Sequence, residues 1–475
     1  MPLTFVPSQK GKKLLLHGGY LYAKKSTNKN DISWRCAVNV NCNLLIHTDS
    51  ESKNGNIVGV VPDHDHAGDI AAVQAKVVKG KIVKKAQKSD AKPATVITRV
   101  LRGVMSPTVA LLPQLSSMSR TVNRIRAKEN PQPIAAASRQ ELVLTDDLKI
   151  THKAEQFLLH DSGGFRKRYL MFSTEKNLGV LSKCSQWLSD GTFSVVPNIF
   201  AQLYTIHGIF KGTSIPLVYV LLPNKLKNTY VDLLGVLRHA LPNYTPDSIM
   251  VDFESAFIEA FKEKYSGVKI RGCNFHFNQC YWRRIQQCGL QTRYNSDVTF
   301  AFHLRLLPAL AFIPPGDVIA GYEEILSCNY YDVNSDILES LLSYFETTWI
   351  GETRRNIKKR SNPLFNIKLW NCYAAVIGDE TRTNNHVEGW HNGFNRRVGT
   401  CHASTNVLIN KLKDEQSRSE ALITQMDTGM KVAGQRRAYH DYNARLKKVI
   451  LDYDSADKFN YLRRVAKIIS INVDN

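Results

Sequence analysis

The chain has 475 residues, 43% of them hydrophobic, which is enough for a globular protein of two or three domains with apolar cores. Its 63 Lys and Arg outnumber its 42 Asp and Glu, and residues 1–130 alone carry a net charge of +13, which indicates a polyanionic partner, most commonly nucleic acid and less commonly a membrane surface. Since the sequence has no apolar run of about 18 residues and no signal-peptide pattern, we expect an intracellular protein with no membrane partner. Its nine cysteines are scattered, so we expect no disulfide framework.

Residues 1–70 are predicted to form a small β-rich module, because the strand-like runs "YLYAKK", "SWRCAV", "NLLIHT" and "IVGVV" are separated by Asn, Asp, Ser and Gly. Residues 71–95 are basic, with six lysines and no acid in "KVVKGKIVKKAQK", and are predicted to be a solvated linker. The same run matches the pattern of a nuclear-import signal, and we expect the protein in the nucleus.

Residues 96–135 are predicted to be helical, in the runs "ATVITRVLRGVM", "VALLPQLSS" and "SMSRTVNRIRAK". On the last helix Val122 and Ile125 share one face. The rest of that helix is covered by basic residues, which are Arg120, Arg124, Arg126 and Lys128. Short helices with a basic last one resemble a helix-turn-helix that binds DNA, and the alternative is a basic helix that is only solvated.

Residues 150–290 are predicted to form a mixed α/β sheet. Three strands in a meander, from "QWLSD" to "PLVYVLLP", precede strands and helices in alternation from "TYVDLLGVLRHAL" to "NQCYWRRIQQCGL", a layout typical of a ribonuclease-H-like fold. Residues 291–375 read as an inserted helical subdomain, 376–415 as a core helix, and 416–475 as charged C-terminal helices.

Three acids are candidates for one catalytic site. Asp190, in "SDGTF", is expected where a buried strand ends, although Asp-Gly between two strand-forming runs is also the commonest hairpin signal. Asp252, in "SIMVDFESAF", follows another apolar strand, and Glu388, in "TNNHVEGWHNGFNRR", lies on a predicted helix. Convergent acids repel one another unless a divalent cation neutralises them, and hard oxygen ligands suit Mg²⁺ or Mn²⁺. Such a metal site can support in-line phosphoryl transfer.

The runs "SDGTF", "PLVYVLLPNKLKNTYVDLL", "IMVDFESAFIEAF", "CNFHFNQ" and "NNHVEGWHNGFNRR" resemble the Mutator-like element (MULE) transposases of the DDE superfamily, over residues 155 to about 415. The resemblance implies a DNA transposase whose catalytic acids fall on Asp190, Asp252 and Glu388.

Two further features of this region have two interpretations each. The resemblance places an accessory Cys-x-x-His signature on Cys273 and His276, which would organise the site or its DNA, whereas a buried thiol with a satisfied histidine is the structural alternative. Trp282, on the following helix, is either a platform for a flipped base or a core residue.

Two thiolates and two imidazoles, the donor set that structural Zn²⁺ prefers, are supplied near the N-terminus by Cys36, Cys42, His64 and His66. The stretch "GYLYAKKSTNKNDISWRC" resembles the FLYWCH zinc finger, with Tyr20 in the place of the leading Phe. Because so small a module buries little apolar surface, the metal is expected to supply folding free energy.

The features together predict a nuclear transposase. The finger and the basic helices would bind double-stranded DNA, namely terminal inverted repeats and target DNA. A dimer would hold two DNA ends, and the core would cut and join the strands with Mg²⁺ or Mn²⁺. The alternatives are a domesticated DNA-binding regulator without catalysis and a nuclease that cuts without joining.

Overall fold

The computed structural model describes residues 3–7, 12–39, 41–89, 91–129, 136–163, 166–353, 360–430 and 437–471. The chain forms two compact units, Met1–Ile134 and Ala135–Asn475. Within the described ranges no helix has the length and apolar character needed to cross a membrane.

The first unit begins with a six-stranded antiparallel sheet. In chain order, which is also their order across the sheet, the strands are β1 (Thr4–Pro7), β2 (Lys13–His17), β3 (Tyr20–Thr27), β4 (Ile32–Cys36), β5 (Leu45–Thr48) and β6 (Ile57–Val58). Trp34 is fully buried at the centre of this small core, and its indole N–H donates to the Thr48 hydroxyl at 2.8 Å. The predicted β-rich module is therefore confirmed.

Four helices complete the first unit, namely α1 (Ile70–Gln87), α2 (Pro93–Leu101), α3 (Ser106–Ala110) and α4 (Leu115–Glu129). Residues 71–95 are thus not a solvated linker, since most of them form α1. The Asp69 carboxylate caps the start of α1, and Val78 and Ile82 are buried in one cluster with Val122 of α4. The lysines of α1 occupy its exposed face, so the charge run is one side of a packed amphipathic helix.

The second unit is built on a seven-stranded mixed sheet. In chain order its strands are β7 (Leu158–Asp161), β8 (Leu170–Phe172), β9 (Gln186–Thr192), β10 (Gln202–Phe210), β11 (Thr213–Leu222), β12 (Ser248–Val251) and β13 (Lys269–Gly272). Their order across the sheet is β13-β12-β9-β10-β11-β8-β7. β12 runs parallel to β9 and β13, and the other neighbours are antiparallel. The predicted mixed α/β sheet is confirmed, and β7 and β8 extend it by an antiparallel edge that the sequence analysis missed.

The second unit also contains helices, some of which pack on the two faces of this sheet and others on neighbouring helices. In chain order they are α5 (Asp146–Lys149), α6 (Glu175–Leu181), α7 (Lys227–Ala240), α8 (Ser255–Lys264), α9 (Asn274–Gln287), α10 (Gln291–Ser296), α11 (Val298–Ala309), α12 (Val318–Leu326), α13 (Asn329–Val333), α14 (Ser335–Phe345), α15 (Ile367–Trp370), α16 (Tyr373–Ile377), α17 (Asn385–Val398), α18 (Thr405–Asp427), α19 (Arg437–Leu451) and α20 (Lys458–Ile468). Val220 of β11 is buried with α7 and α8 on one face, whereas its neighbour Tyr219 is buried with α17 and α18 on the other. This period-two alternation buries the strands on both sides.

The described residues between α9 and α17 are mostly helical, as predicted for residues 291–375, and include short 3₁₀ turns at Leu310–Phe312 and Pro315–Asp317 and a π-helical turn at Glu346–Ile350. Trp282 of α9 is buried, with its ring centroid 5.1 Å from that of Tyr294. This position favours the core role of Trp282 over base stacking.

Candidate functional site

Asp190 lies inside β9, two residues before its end, so the expectation that a strand ends at this aspartate is wrong. The backbone of Asp190 pairs with Thr205 of β10, and the pairing continues through Gly191 and the next residue, which excludes a hairpin turn here. A Cβ atom at Gly191 would lie 2.5 Å from Oε1 of Gln202, so the glycine leaves room for the Gln202 side chain. Asp190 therefore projects from a rigid central strand.

Asp252 reaches the same part of the sheet because β12 pairs in parallel with β9. Met250 is paired with Leu188, and Asp252 and Asp190 each stand two residues further along their chains. The Oδ1 atom of Asp252 accepts a hydrogen bond from the backbone N–H of Glu254 at 3.2 Å, in the turn that starts α8. The two aspartates are thus placed side by side by sheet register.

Glu388 enters from the first turn of α17, which is fastened to the sheet by Asn384. The Asn384 backbone N–H donates to Sγ of Cys273 at 3.1 Å, and its side-chain amide donates to the carbonyl of Ser189 at 3.2 Å. Cys273 is fully buried at the N-cap of α9, and burial raises the pKa of its thiol to about 12. The thiol is therefore a neutral anchor for α17.

Asp190, His276 and Glu388 form a compact group in which one ligand atom from each residue lies within 4.8 Å of the others. Nε2 of His276 is 3.5 Å from Oε1 of Glu388, and Nδ1 of His391 is 3.6 Å from Oδ2 of Asp190. Asp252 is outside the group, although its charge acts on Asp190. The three predicted acids thus converge on one region with a histidine among them.

Burial dominates the electrostatics of this region. It raises the pKa of Asp190 well above its usual range, with the charges of Asp252 and Glu388 adding to the effect. Burial also raises the pKa of Asp252 to about 6 and that of Glu388 to about 7. It lowers the pKa of His276 to about 4, so the imidazole is neutral at pH 7 and does not neutralise the acids.

The donor set fits a divalent cation. Oε1 of Glu388 is buried and accepts no hydrogen bond within the described part of the chain. Buried carboxylates that repel one another are stabilised by an ion that supplies the missing positive charge.

His391 is a functional candidate that the sequence analysis missed. It lies three residues after Glu388 on α17, and its Nε2 atom is 3.2 Å from Oγ1 of Thr205, which is also 3.2 Å from Nε2 of His207. The spacing of Glu388 and His391 on one helix face was a visible signal, because residues three apart are neighbours on a helix. The contacts with Thr205 depend on sheet pairing and leave no local signal.

Lys225, in the loop after β11, is a second missed candidate. Its Nζ atom is 2.8 Å from Oε2 of Glu254 and 4.6 Å from the ring centroid of the exposed Phe193. Its charge lowers the pKa values of Asp190 and Asp252 against the effect of burial, so it stands close to both acids. A single loop lysine is too common to be singled out from sequence.

The first unit holds a second cluster, in which ligand atoms of Cys36, Cys42, His64 and His66 lie within 4.8 Å of one another. Sγ of Cys36 is 3.6 Å from Nε2 of His66, and Sγ of Cys42 is 3.6 Å from Nδ1 of His64. Two thiols and two imidazoles at this separation fit a tetrahedral Zn²⁺ site.

The outer nitrogen of each imidazole in this cluster has an oxygen partner. Nε2 of His64 is 2.8 Å from the hydroxyl of Tyr22, and Nδ1 of His66 is 3.2 Å from the carbonyl of Ala67. The ring of Tyr20 stacks on His64 with centroids 3.7 Å apart. Such outer contacts fix the ring tautomers so that the inner nitrogens are available to a metal.

The basic residues of α4 do not share one role. Arg120, Arg124 and Lys128 are exposed. The Arg126 guanidinium instead donates to backbone carbonyls in the last turn of α1 and just after it, those of Ala86 at 3.3 Å, Ser89, and Ala91 at 2.8 Å. The expectation that Arg126 is free to bind DNA is therefore wrong, because its donors cap the C-terminal end of α1.

Arg126→Ala should destabilise the helical part of the first unit by about 1–3 kcal/mol, since three carbonyls lose a charged donor. Arg124→Ala, two residues away on the same helix and exposed, should change stability by less than about 0.5 kcal/mol. Hydrogen exchange of the α1 and α4 amides in the full chain measures both effects. Equal protection in the two variants would contradict the capping role of Arg126.

Two family models match parts of the chain. Residues 5–66 match the family model of the FLYWCH zinc finger domain, and residues 186–280 match that of the MULE transposase domain. The first match ends at His66, and the second contains Asp190 and Asp252 and stops before Glu388. No curated protein matches the chain. Among solved structures, a chain of the Drosophila P element transposase strand transfer complex is similar at 10% identity and a TM-score of 0.22, over 82% of this chain and 91% of that one.

Proposed function

We propose that this chain, which carries a MULE transposase domain and a FLYWCH zinc finger domain, is a DNA transposase that cleaves and transfers strands in a metal-dependent reaction. The observation that carries the proposal is the convergence of Asp190, Asp252 and Glu388 in a buried region where their pKa values are raised. Three convergent acids, of which Asp190 is buried and Asp252 and Glu388 are half-buried, destabilise a fold unless they bind a cation, so a purely structural role does not account for them.

In the proposed reaction Asp190, Asp252 and Glu388 hold Mg²⁺ or Mn²⁺. When bound, such an ion activates a water or a 3′-hydroxyl and stabilises the leaving oxygen of an in-line phosphoryl transfer. The protein fixes the acids in advance. The Gly191 N–H donates to Oδ1 of Asp190 at 2.8 Å, and the turn before α8 holds Asp252, so neither carboxylate needs to reorganise when DNA arrives.

DNA binding is proposed to reside mainly in the first unit. Residues 1–130 carry a net charge of +13 against +8 for the rest of the chain, and the α1 lysines and the α4 residues Arg124 and Lys128 are exposed. The FLYWCH zinc finger lies in the same unit. Phosphate contacts from these cations would give affinity for terminal inverted repeats and target DNA, with base contacts giving specificity.

Arg124→Ala with Lys128→Ala should weaken DNA binding and reduce the slope of log affinity against log salt by about 1.8, since each lost phosphate contact removes about 0.9. Anisotropy titrations of the full chain on a repeat-containing duplex, at several salt concentrations, measure the slope. Lys262→Ala with Lys269→Ala removes two exposed cations from the second unit and serves as the charge-matched control. An unchanged slope in the α4 variant would move the DNA site away from α4.

Two other functions remain distinguishable by experiment. A domesticated regulator would bind DNA without cutting it, and a nuclease would cut without joining. The purified protein, incubated with Mn²⁺ and the repeats that flank its own gene, separates the three by its products: uncut ends, cut ends, or cut ends joined to target DNA. Joined products from a nuclear protein that pairs two ends as a dimer are the result that this proposal expects.

A further inference from the structure

His276 stands where a ligand of the catalytic ion would stand. Its Nε2 atom is 3.5 Å from Oε1 of Glu388, and the ligand atoms of His276, Glu388 and Asp190 all lie within 4.8 Å of one another. Ligands about 2.1 Å from a shared octahedral ion are roughly 3 Å apart when adjacent and roughly 4.2 Å apart when opposite. The 3.5 Å between His276 and Glu388 falls within this range, and Asp190 lies near enough to both for the three to share one ion after small side-chain adjustments.

The contact between His276 and Glu388 is not a completed hydrogen bond. A separation of 3.5 Å is longer than the usual range for such a bond. Oε1 of Glu388 and Nδ1 of His276 are both buried and without hydrogen-bond partners among the residues that the structure describes. A buried acceptor facing a neutral imidazole nitrogen across this gap leaves both groups able to bind an ion between them.

The two residues of the Cys-x-x-His signature have separate tasks. Sγ of Cys273 accepts the N–H of Asn384 at 3.1 Å, and Cys273 is not part of the group formed by Asp190, His276 and Glu388. His276, one turn along α9, turns instead toward Glu388 and Asp190. The thiol thus builds the scaffold, and the imidazole belongs to the site.

We infer that His276 is itself a ligand of the catalytic metal, so that one ion is held by a nitrogen and the carboxylates of Asp190 and Glu388. The inference rests on the proposed function, which supplies the ion, and adds a ligand to it. Mg²⁺ prefers oxygen donors, whereas Mn²⁺ accepts imidazole readily. This site therefore selects Mn²⁺ over Mg²⁺.

The test is pulsed electron paramagnetic resonance of Mn²⁺ bound to the full chain, with zinc left in the first unit. The expected spectrum contains the coupling of a directly bound imidazole ¹⁴N, which changes to that of ¹⁵N when histidine is labelled with ¹⁵N. His276→Asn should remove this coupling and lower Mn²⁺ affinity by about tenfold or more, while Mg²⁺ affinity changes little because the amide offers an oxygen. His391→Asn, at the other nearby histidine, should keep the coupling.

Each possible result either supports or overturns the role of His276 as a metal ligand. Mn²⁺ bound without nitrogen coupling, in protein that still cuts DNA, overturns the inference and leaves the proposed function standing. A coupling that persists in His276→Asn, or disappears in His391→Asn alone, assigns the nitrogen to another residue and also overturns it. If the wild-type chain binds no Mn²⁺ at all, the inference and the proposed function fail together. The ¹⁵N labelling of the wild type keeps the test valid if the His276 variant does not fold.

Discussion

Asp190→Asn is expected to lower strand cleavage by about 10³-fold or more while leaving DNA affinity unchanged. The amide keeps the size of the carboxylate and can still accept the Gly191 N–H, but it lacks the charge that a divalent cation requires. A cleavage assay with Mn²⁺, run beside an anisotropy titration, measures both quantities. Asp232→Asn, at an exposed aspartate of α7, is the matched control and should cut at the wild-type rate.

The thermal stability of Asp190→Asn shows whether a loss of cleavage is due to lost catalysis or to lost folding. The pKa of Asp190 is raised in the folded state, so folding of the metal-free protein carries a free-energy cost at any pH above the unfolded pKa. This cost shrinks as the pH falls toward the unfolded pKa, because the carboxyl then becomes protonated in the unfolded state as well. Without metal, Asp190→Asn should therefore melt at a higher temperature than the wild type near pH 7.5, and the difference should shrink toward pH 5. A variant that cuts as well as the wild type, or that melts far below it, would contradict the catalytic assignment of Asp190.

Cys36→Ser is expected to remove the zinc and unfold the β-rich sheet of the first unit, while the second unit keeps its structure. Cys36 is buried in the same small core as Trp34, and zinc binding to comparable fingers supplies about 10–16 kcal/mol. So large a loss exceeds what a core of this size can replace. The zinc content should fall from one per chain to nearly none, and amide exchange should rise across β1 to β6 but not in the second unit.

The exposed thiol of Cys401 provides the control, because Cys401→Ser removes a cysteine without touching the cluster. That variant should retain its zinc and its amide protection. Wild-type protein purified without chelators and containing less than a tenth of a zinc per chain would count against the site, and so would a Cys36 variant with a protected β4.

Most of the fold could be predicted from patterns that are local in the sequence. Apolar strand runs predicted β9 to β13, and the alternation with helices predicted the mixed sheet, because period two and period 3.6 are visible within a few residues. The basic run after residue 70 was predicted to be a linker rather than a helix, because its many lysines obscure the helical spacing of Val78 and Ile82. Asp190 was misplaced for a related reason, since Asp-Gly has a strong turn preference that tertiary pairing with β10 overrides.

The candidate sites also combine residues that could be predicted from local sequence with contacts that could not. The zinc cluster was predictable because its four residue types lie within one small module, although their outer contacts with Tyr20 and Tyr22 were not. The partners of Arg126 are 35 to 40 residues away, and no local signal distinguishes its guanidinium from that of Arg124. The meeting of His276 with Glu388 depends on how α17 returns to the sheet, which only the folded chain reveals.

The hydrogen bond from Asn384 to Cys273 joins residues 111 positions apart, yet it closes at the edge of the sheet where α9 begins. The chain therefore returns, just before α17, to the point at which α9 starts, and this junction helps to locate Glu388. Doubling the length of a closed loop costs only about 0.6 kcal/mol in entropy. The intervening helices are nevertheless part of the same core, since the ring of Trp370 in α15 stacks on that of Phe277 in α9 with centroids 5.1 Å apart, so any change in their length must preserve this packing as well as the position of the third carboxylate.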